Sequence, residues 1–216
     1  GTVFSAATDK VTSLSGGGEG ISIDSTDTFE SFVKGFGGDD YPIDANYELT
    51  ADLDLSQLTL SSIGDNNTPF LGTFNGNGHA ISNLKIDSDA GSVGLFAYIG
   101  AGGRVVNTVL KDVSVTAADS DNTGAIAGAC AGTIENCSVT GTVSGNGTVA
   151  GVVGRLHGGT VKNCSVDVTV NATGNTASAL IGSTNTGGPI TVKNDETGNV
   201  VLNNLVRGTA NSAAYA

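Results

Sequence analysis

The chain has 216 residues, room for one large domain, with 33 glycines, 5% aromatic residues and neither tryptophan nor methionine. Its 21 acidic residues against 9 basic ones leave a formal net charge of −12. That balance argues against nucleic acid, which needs clustered Lys and Arg, and against an anionic membrane surface; it favours a well-hydrated exterior.

No apolar run approaches the roughly 18 residues of a membrane-spanning helix. No secretory leader is visible, but a first residue of Gly and the lack of Met fit a start that has been removed, such as a cleaved export signal. Residues 1–24 are poor in pattern, and the Gly-rich stretch 15–20 reads as a flexible linker. Residues 25–216 are expected to be one domain, with a capping helix at 25–36, coils over 46–208 and a tail at 209–216. In the helix, Phe29, Phe32, Val33 and Phe36 recur at helical spacing. Ser, Thr or Asp before them supplies the N-cap, and Gly35 or Gly37 stops the helix. Its apolar stripe is placed to cover the open first coil of a solenoid.

Tyr47–Leu55 is the first clear strand, and Asn75-Gly76 with Asn77-Gly78 are paired turn signals. A repeat follows. The segment 132–139, Gly-Thr-Ile-Glu-Asn-Cys-Ser-Val, returns at 159–166 as Gly-Thr-Val-Lys-Asn-Cys-Ser-Val, so that Asn136 maps to Asn163 and Cys137 to Cys164. Weaker copies lie at 103–110 and 80–86. Four columns emerge. Ile81, Val105, Ile134 and Val161 precede the shared Asn, and Ile86, Leu110, Val139 and Val166 follow it. Gly94-Leu-Phe96, Gly124-Ala-Ile126 and Gly151-Val-Val153 form a third column, which Ala179-Leu-Ile181 continues without the glycine. The Asn column is Asn83, Asn107, Asn136 and Asn163. Between the columns lie alternating β-branched runs such as Val113–Thr116.

A unit of roughly 24–30 residues with several short strands and no helix cannot bury its own apolar face, but copies stacked on each other can. The expected fold is therefore all-β: a parallel β-helix with coils about 4.8 Å apart. The Asn residues are expected to stack inward at a bend, since Asn tolerates the left-handed conformation and its amide can bond to the next one in a ladder. Cys137 and Cys164 are expected to be buried thiols of the core ladder, reduced and raised in pKa by their apolar neighbours, because identical positions on parallel strands point their β-carbons the same way. Cys130 has no repeat partner.

The order of a short helix, the strand Tyr47–Leu55, Ile63-Gly64, the segment Phe70–His79, Ile81–Leu84 and Gly94-Leu-Phe96 resembles bacterial surface proteins that carry GLUG-type repeats. Such repeats also accompany some secreted immunoglobulin-A peptidases, outside their catalytic domains. The resemblance covers about residues 21–182, and Phe70–Leu84 is its most specific part. It implies an exported, right-handed β-helix of adhesin type and no catalytic residue. The name-giving Gly-Leu is degraded at Gly124-Ala125 and Ala179-Leu180, and the register decays after Gly182.

Because parallel β-helices include polysaccharide lyases and hydrolases, chemistry must be weighed. A lyase needs a base, commonly Lys or Arg, and often Ca²⁺ held by carboxylates of successive coils. Lys85, Arg104, Lys111, Arg155 and Lys162 are the basic candidates. Lys162 shares a column with Glu135, which reads as a cross-strand ion pair. Arg155-Leu-His157 is a lone cluster, and His79 has no visible partner. Asp39/Asp40, Asp52/Asp54, Asp87/Asp89 and Asp119–Asn122 are scattered acids; the last has too few ligands for a calcium loop. No catalytic, cofactor or metal-binding residue is assigned, and Ca²⁺ is a minor alternative. The function expected is that of a non-enzymatic, adhesin-like module at the cell surface or outside the cell, monomeric, binding an extracellular glycan or protein. The alternative is a carbohydrate-active β-helix enzyme.

Overall fold

Each coil runs through four short strands, and like strands of successive coils hydrogen-bond to one another in parallel. The computed structural model describes residues 11–14, 18–174, 176–184, 200–202 and 204–212. They build a parallel β-solenoid of about six turns with a single helix. Face one stacks Gly18–Ile23, Asn46–Leu49, Thr73–Asn75, Arg104–Val106, Thr133–Glu135, Thr160–Lys162 and Val200–Leu202. Val11–Leu14 pairs antiparallel with its first strand. Face two stacks Leu53–Asp54, Ala80–Ser82, Val109–Ala117, Ser138–Gly145, Ser165–Ala172 and Leu205–Ser212. Face three holds Ser92–Val93, Asn122–Gly124, Thr148–Ala150 and Thr176–Ser178, and face four Phe96–Ile99, Ala127–Cys130, Val153–Leu156 and Ile181–Thr184.

Inward positions form continuous apolar ladders. Phe74, Val105, Ile134 and Val161 line face one, and Ile81, Leu110, Val139 and Val166 line face two; each is at most 1% exposed. Burying a side chain of this size contributes about 1.5–3 kcal/mol. The first coils carry the aromatics. The helix Thr26–Gly35 is capped by Ser25, whose hydroxyl accepts from the Thr28 amide while Thr28 bonds back. It ends at Gly35, and Gly37 follows at φ +88°. Phe32 of the helix lies 4.4 Å from the ring of Tyr47 and 6.1 Å from that of Phe74. Phe29 and Phe32 are fully buried, so the apolar stripe covers the core of the first coils.

The bend between faces one and two is made by one residue. Asn107, Asn136 and Asn163 have φ of 50°, 55° and 54°. Their amides form a chain: Asn163 Nδ2 donates to Asn136 Oδ1 at 3.2 Å, and Asn136 Nδ2 to Asn107 Oδ1 at 3.3 Å. Asn107 Nδ2 then donates to Asn75 Oδ1 at 3.1 Å. The chain runs along the outside of the bend, with Asn136 and Asn163 exposed, and not inward as the repeat suggests. The inward place belongs to the next residue. Thr108 Oγ1 donates to the Val106 carbonyl at 2.9 Å, and Cys137 and Cys164 reach the carbonyls of Glu135 and Lys162 at 3.3 Å. These carbonyls already accept the amides of Gly76, Asn107 and Asn136 from the neighbouring coil, so the small inward side chain adds a second donor to each.

Asn83 stands outside this chain. Ile81 pairs with Leu110, and Ile86 with Val115, so the segment 80–86 belongs to face two, one strand later than the repeat alignment puts it. Asn83, at φ 58°, makes a second bend that Asp112 at 54° and Gly141 at 130° continue, and its Nδ2 donates to Asp54 Oδ1 at 2.8 Å. Both bends demand a left-handed residue, so both show the same Asn signal. The third column also shifts: Gly124 pairs with Ala150, and Ala127, not Ile126, pairs with Phe96 and Val153. At the ends, Gly18–Ile23 is a strand and not linker, and face two runs on through Ser212. Residues 15–17 and 213–216 lie outside the described residues.

The three cysteines are free and buried. Burial pushes the Cys130 thiol up to about 12. The neighbouring Cys164 thiol holds Cys137 well above an ordinary thiol, with burial adding to it, and the proximity of Cys137 lowers Cys164, which was expected to rise. Among the described residues one buried hydroxyl has no partner: Thr123 Oγ1, in the column of Val93 and Val149.

Three measurements check this packing. Thr123→Val should raise stability by about 1–2 kcal/mol in urea unfolding, since it removes an unpaired buried hydroxyl at constant volume; a loss would show that the hydroxyl is satisfied. Asn136→Ala should cost roughly 1–2 kcal/mol, and Asn136→Gly less, because glycine keeps the left-handed backbone and loses only the amide chain. Equal costs would remove the bend as the cause. A thiol reagent should leave all three cysteines unlabelled in the native protein and label all three after unfolding without reductant.

Candidate functional site

Chemistry at a solenoid surface depends on which outward side chains the register brings together. On face one, Glu135 Oε1 lies 3.1 Å from Lys162 Nζ and its Oε2 3.5 Å from Arg104 Nη2, so two of the five basic candidates are spent on one carboxylate. Asp52 Oδ1 accepts from the Ala80 amide at 2.9 Å and lies 3.1 Å from His79 Nδ1, so His79 does have a partner, one coil away. The Ala80 amide, and then His79, lower the Asp52 pKa. Asp54 is lowered by its bonds from Asn83 and from the Ser56 amide. These acids close bends. Among the described residues no group of three His, Cys, Asp or Glu stands close enough to hold a metal ion, so the scattered acids do not converge on a calcium site.

The corner between faces three and four is different. Gly128 and Gly154 lie where the backbone of face four presses on face three. A Cβ on Gly128 would come 2.5 Å from the Val93 nitrogen, and one on Gly154 2.5 Å from the Thr123 nitrogen. This close approach makes the outer surface concave. The next outward column on face four is Tyr98, Ala129, Arg155 and Ser183, and the facing column on face three is Ser92, Asn122 and Thr148. Ala129 is small, so a depression of about 360 Å³ opens between Tyr98 and Arg155, with Asn66, Asn122 and His157 around it. A second depression, of about 210 Å³, continues from Asn66 and Ser92 toward Ser61 and Asp65. Together they form a groove along the stacking direction.

Its polar groups are mostly neutral. Asp65 is engaged, its Oδ1 accepting from the amides of Asn67 and Thr68 at 2.7 Å. The Tyr98 and His157 rings meet edge to face, 6.2 Å apart. Arg155 is the cation of the groove. Its Nε is buried without a hydrogen-bond partner, and none of the ion pairs among the described residues involves it. The sequence shows Arg155 and His157 as a lone pair; only the register reveals Tyr98 two coils away and the amides of Asn66 and Asn122 across the corner. The one signal that points to it beforehand is an arginine at an outward position whose neighbouring coils carry no acid. Such an arrangement can bind a ligand through one guanidinium, several amides and hydroxyls, and one ring.

The model of the GLUG motif matches residues 145–171. A stretch of 122 residues, half of the chain, is 39% identical to halomucin of Haloquadratum walsbyi, and another of 94 residues, 43% of the chain, is 38% identical to a protein of Evansella cellulosilytica named "Putative Gly-rich membrane protein". The chain spans 1% and 11% of the lengths of these relatives. Among solved structures, a "putative immunoglobulin A1 protease" of Bacteroides ovatus superposes with a TM-score of 0.58 over 77% of this chain and 53% of its own, at 22% identity, a likeness of fold. Among the described residues no helix is long and apolar enough to cross a membrane. The chain thus carries the GLUG motif within a parallel β-solenoid, consistent with GLUG-repeat surface proteins.

Proposed function

We propose that this chain is a non-enzymatic, adhesin-like module, a stiff β-helix that works at the cell surface or outside the cell and binds an extracellular glycan or protein along its flank. The observation that carries the reading is the groove at the corner of faces three and four, which runs across successive coils and is lined by Asn, Ser and Tyr side chains with one arginine that is unpaired among the described residues. Two comparisons lend support: the GLUG motif, and relatives named halomucin and a Gly-rich membrane protein. The stacked ladders make the groove rigid, so little ordering entropy is lost on binding.

The enzymatic alternative needs an acid and a base within hydrogen-bond reach of one substrate bond. Along the groove the lining acid is Asp65, already bonded to two backbone amides, and the lining bases are Arg155 and His157 at the other end. That separation favours binding over turnover.

The expected outcome of a screen against glycans and extracellular-matrix proteins is reversible, saturable binding, with the ligand recovered at its original length. Shortened or unsaturated saccharide products that grow with time would overturn the non-enzymatic reading.

A further inference from the structure

We infer that the groove between faces three and four is a site for a largely neutral glycan that carries a single carboxylate sugar, with Arg155 receiving the carboxylate and Asn66 and Asn122 the hydroxyls. This rests on the ligand-binding reading above and names its site and ligand class. Three features lead to it.

First, Arg155 is a cation without an anion among the described residues. Its Nε is buried and lacks a partner among the described residues. A buried N–H left unbonded is costly, and a planar guanidinium fork matches a planar carboxylate. A carboxylate in the groove would meet the terminal guanidinium nitrogens, which are not among the buried unbonded atoms, while the buried Nε holds the fork in place. Every ion-paired Lys or Arg among the described residues lies on face one or on the helix, away from this corner.

Second, the remaining lining offers amides, hydroxyls and a ring, the partners of sugar hydroxyls and of a sugar's apolar face. Asn66 lies between the two depressions and contributes to both. Tyr98 is half-buried and stands two coils from Arg155, in the same outward column. A peptide would look for an open strand edge or an apolar pocket. Here the strands that bear Tyr98, Ala129 and Arg155 are paired on both sides, Phe96–Ile99 against Ala127–Cys130 and through bridges at Ile63 and Phe70, so the walls offer no free edge.

Third, the charge balance restricts the ligand to one acidic group. A net charge of −12 repels a polyanion, whereas a lone carboxylate at Arg155 feels a local attraction that is felt within the Debye length of about 8 Å.

The test uses the whole chain and calorimetric titration with three probes: a sialylated lactose, lactose itself, and an acetylated glutamate dipeptide as a carboxylate without a sugar. The sialylated probe should bind at least roughly tenfold more tightly than either of the others, as expected for one charge-assisted fork added to hydroxyl contacts. Arg155→Gln should reduce the sialylated probe to the level of lactose, and Arg155→Lys should recover part of the difference. Asn66→Ala, in an exposed loop where the fold is not at stake, should weaken both sugars alike. A tight dipeptide would overturn the saccharide assignment, and no preference for the acidic sugar would overturn the role of Arg155. Should the sialylated probe bind tightly and Arg155→Gln, with an unchanged thermal melt, leave it unaltered, the site falls while the module reading stands. Failure of all three probes alongside a positive matrix-protein screen refutes the glycan class alone, and failure of both screens refutes the module reading as well.

Discussion

The structure depends on one backbone constraint: a coil must turn a corner without leaving the hydrogen-bond ladder that joins it to its neighbours. A left-handed residue does this in a single step, and the side chain that adopts it with least strain while still offering a donor and an acceptor is Asn. At Asn107, Asn136 and Asn163 the same φ recurs within a few degrees, and the amides link into a line on the outer edge. The corner fixes the strand that follows. It places Thr108, Cys137 and Cys164 inward, each over a carbonyl two residues back, and from there Leu110, Val139 and Val166 drop into one ladder.

That geometry explains the cysteines without invoking redox chemistry. The position calls for a small side chain that is at home in an apolar core and still gives a weak donor. Threonine meets the requirement in one coil and cysteine in the next two. Asn204 meets it differently in the last, accepting from the Cys164 amide and donating to the Val161 carbonyl. The thiols are thus substitutes for a hydroxyl, and their proximity sets one pKa up and the other down.

The other corner works by close approach. Gly128 and Gly154 let face four lie against the backbone of face three, and the cost of that contact is a surface folded inward. A flat sheet would leave Tyr98, Asn122 and Arg155 as separate polar groups in water. The fold gathers them around one depression, so a contact that serves packing also creates the site proposed to take a ligand.

Sequence alone determined the class of the fold. The return of Gly-Thr-Ile-Glu-Asn-Cys-Ser-Val at 159–166 fixes a repeat, the β-branched alternation fixes strands, and the Phe stripe of the helix fixes its buried side. These signals are local or strictly periodic, so one chain suffices to read them. Register at the irregular coils was decided by the tertiary structure. The lengthened Asn75–His79 tip moves Ile81 and Asn83 one strand along, and the first Gly-Leu-Phe is one residue shorter than its successors, which a column of like residues cannot reveal. The direction of the Asn side chains was also decided there, because a left-handed residue turns its Cβ to the outside of the bend. So was the groove: Asn66, Tyr98, Asn122 and Arg155 lie in four different coils, and only the stacking of those coils makes them neighbours.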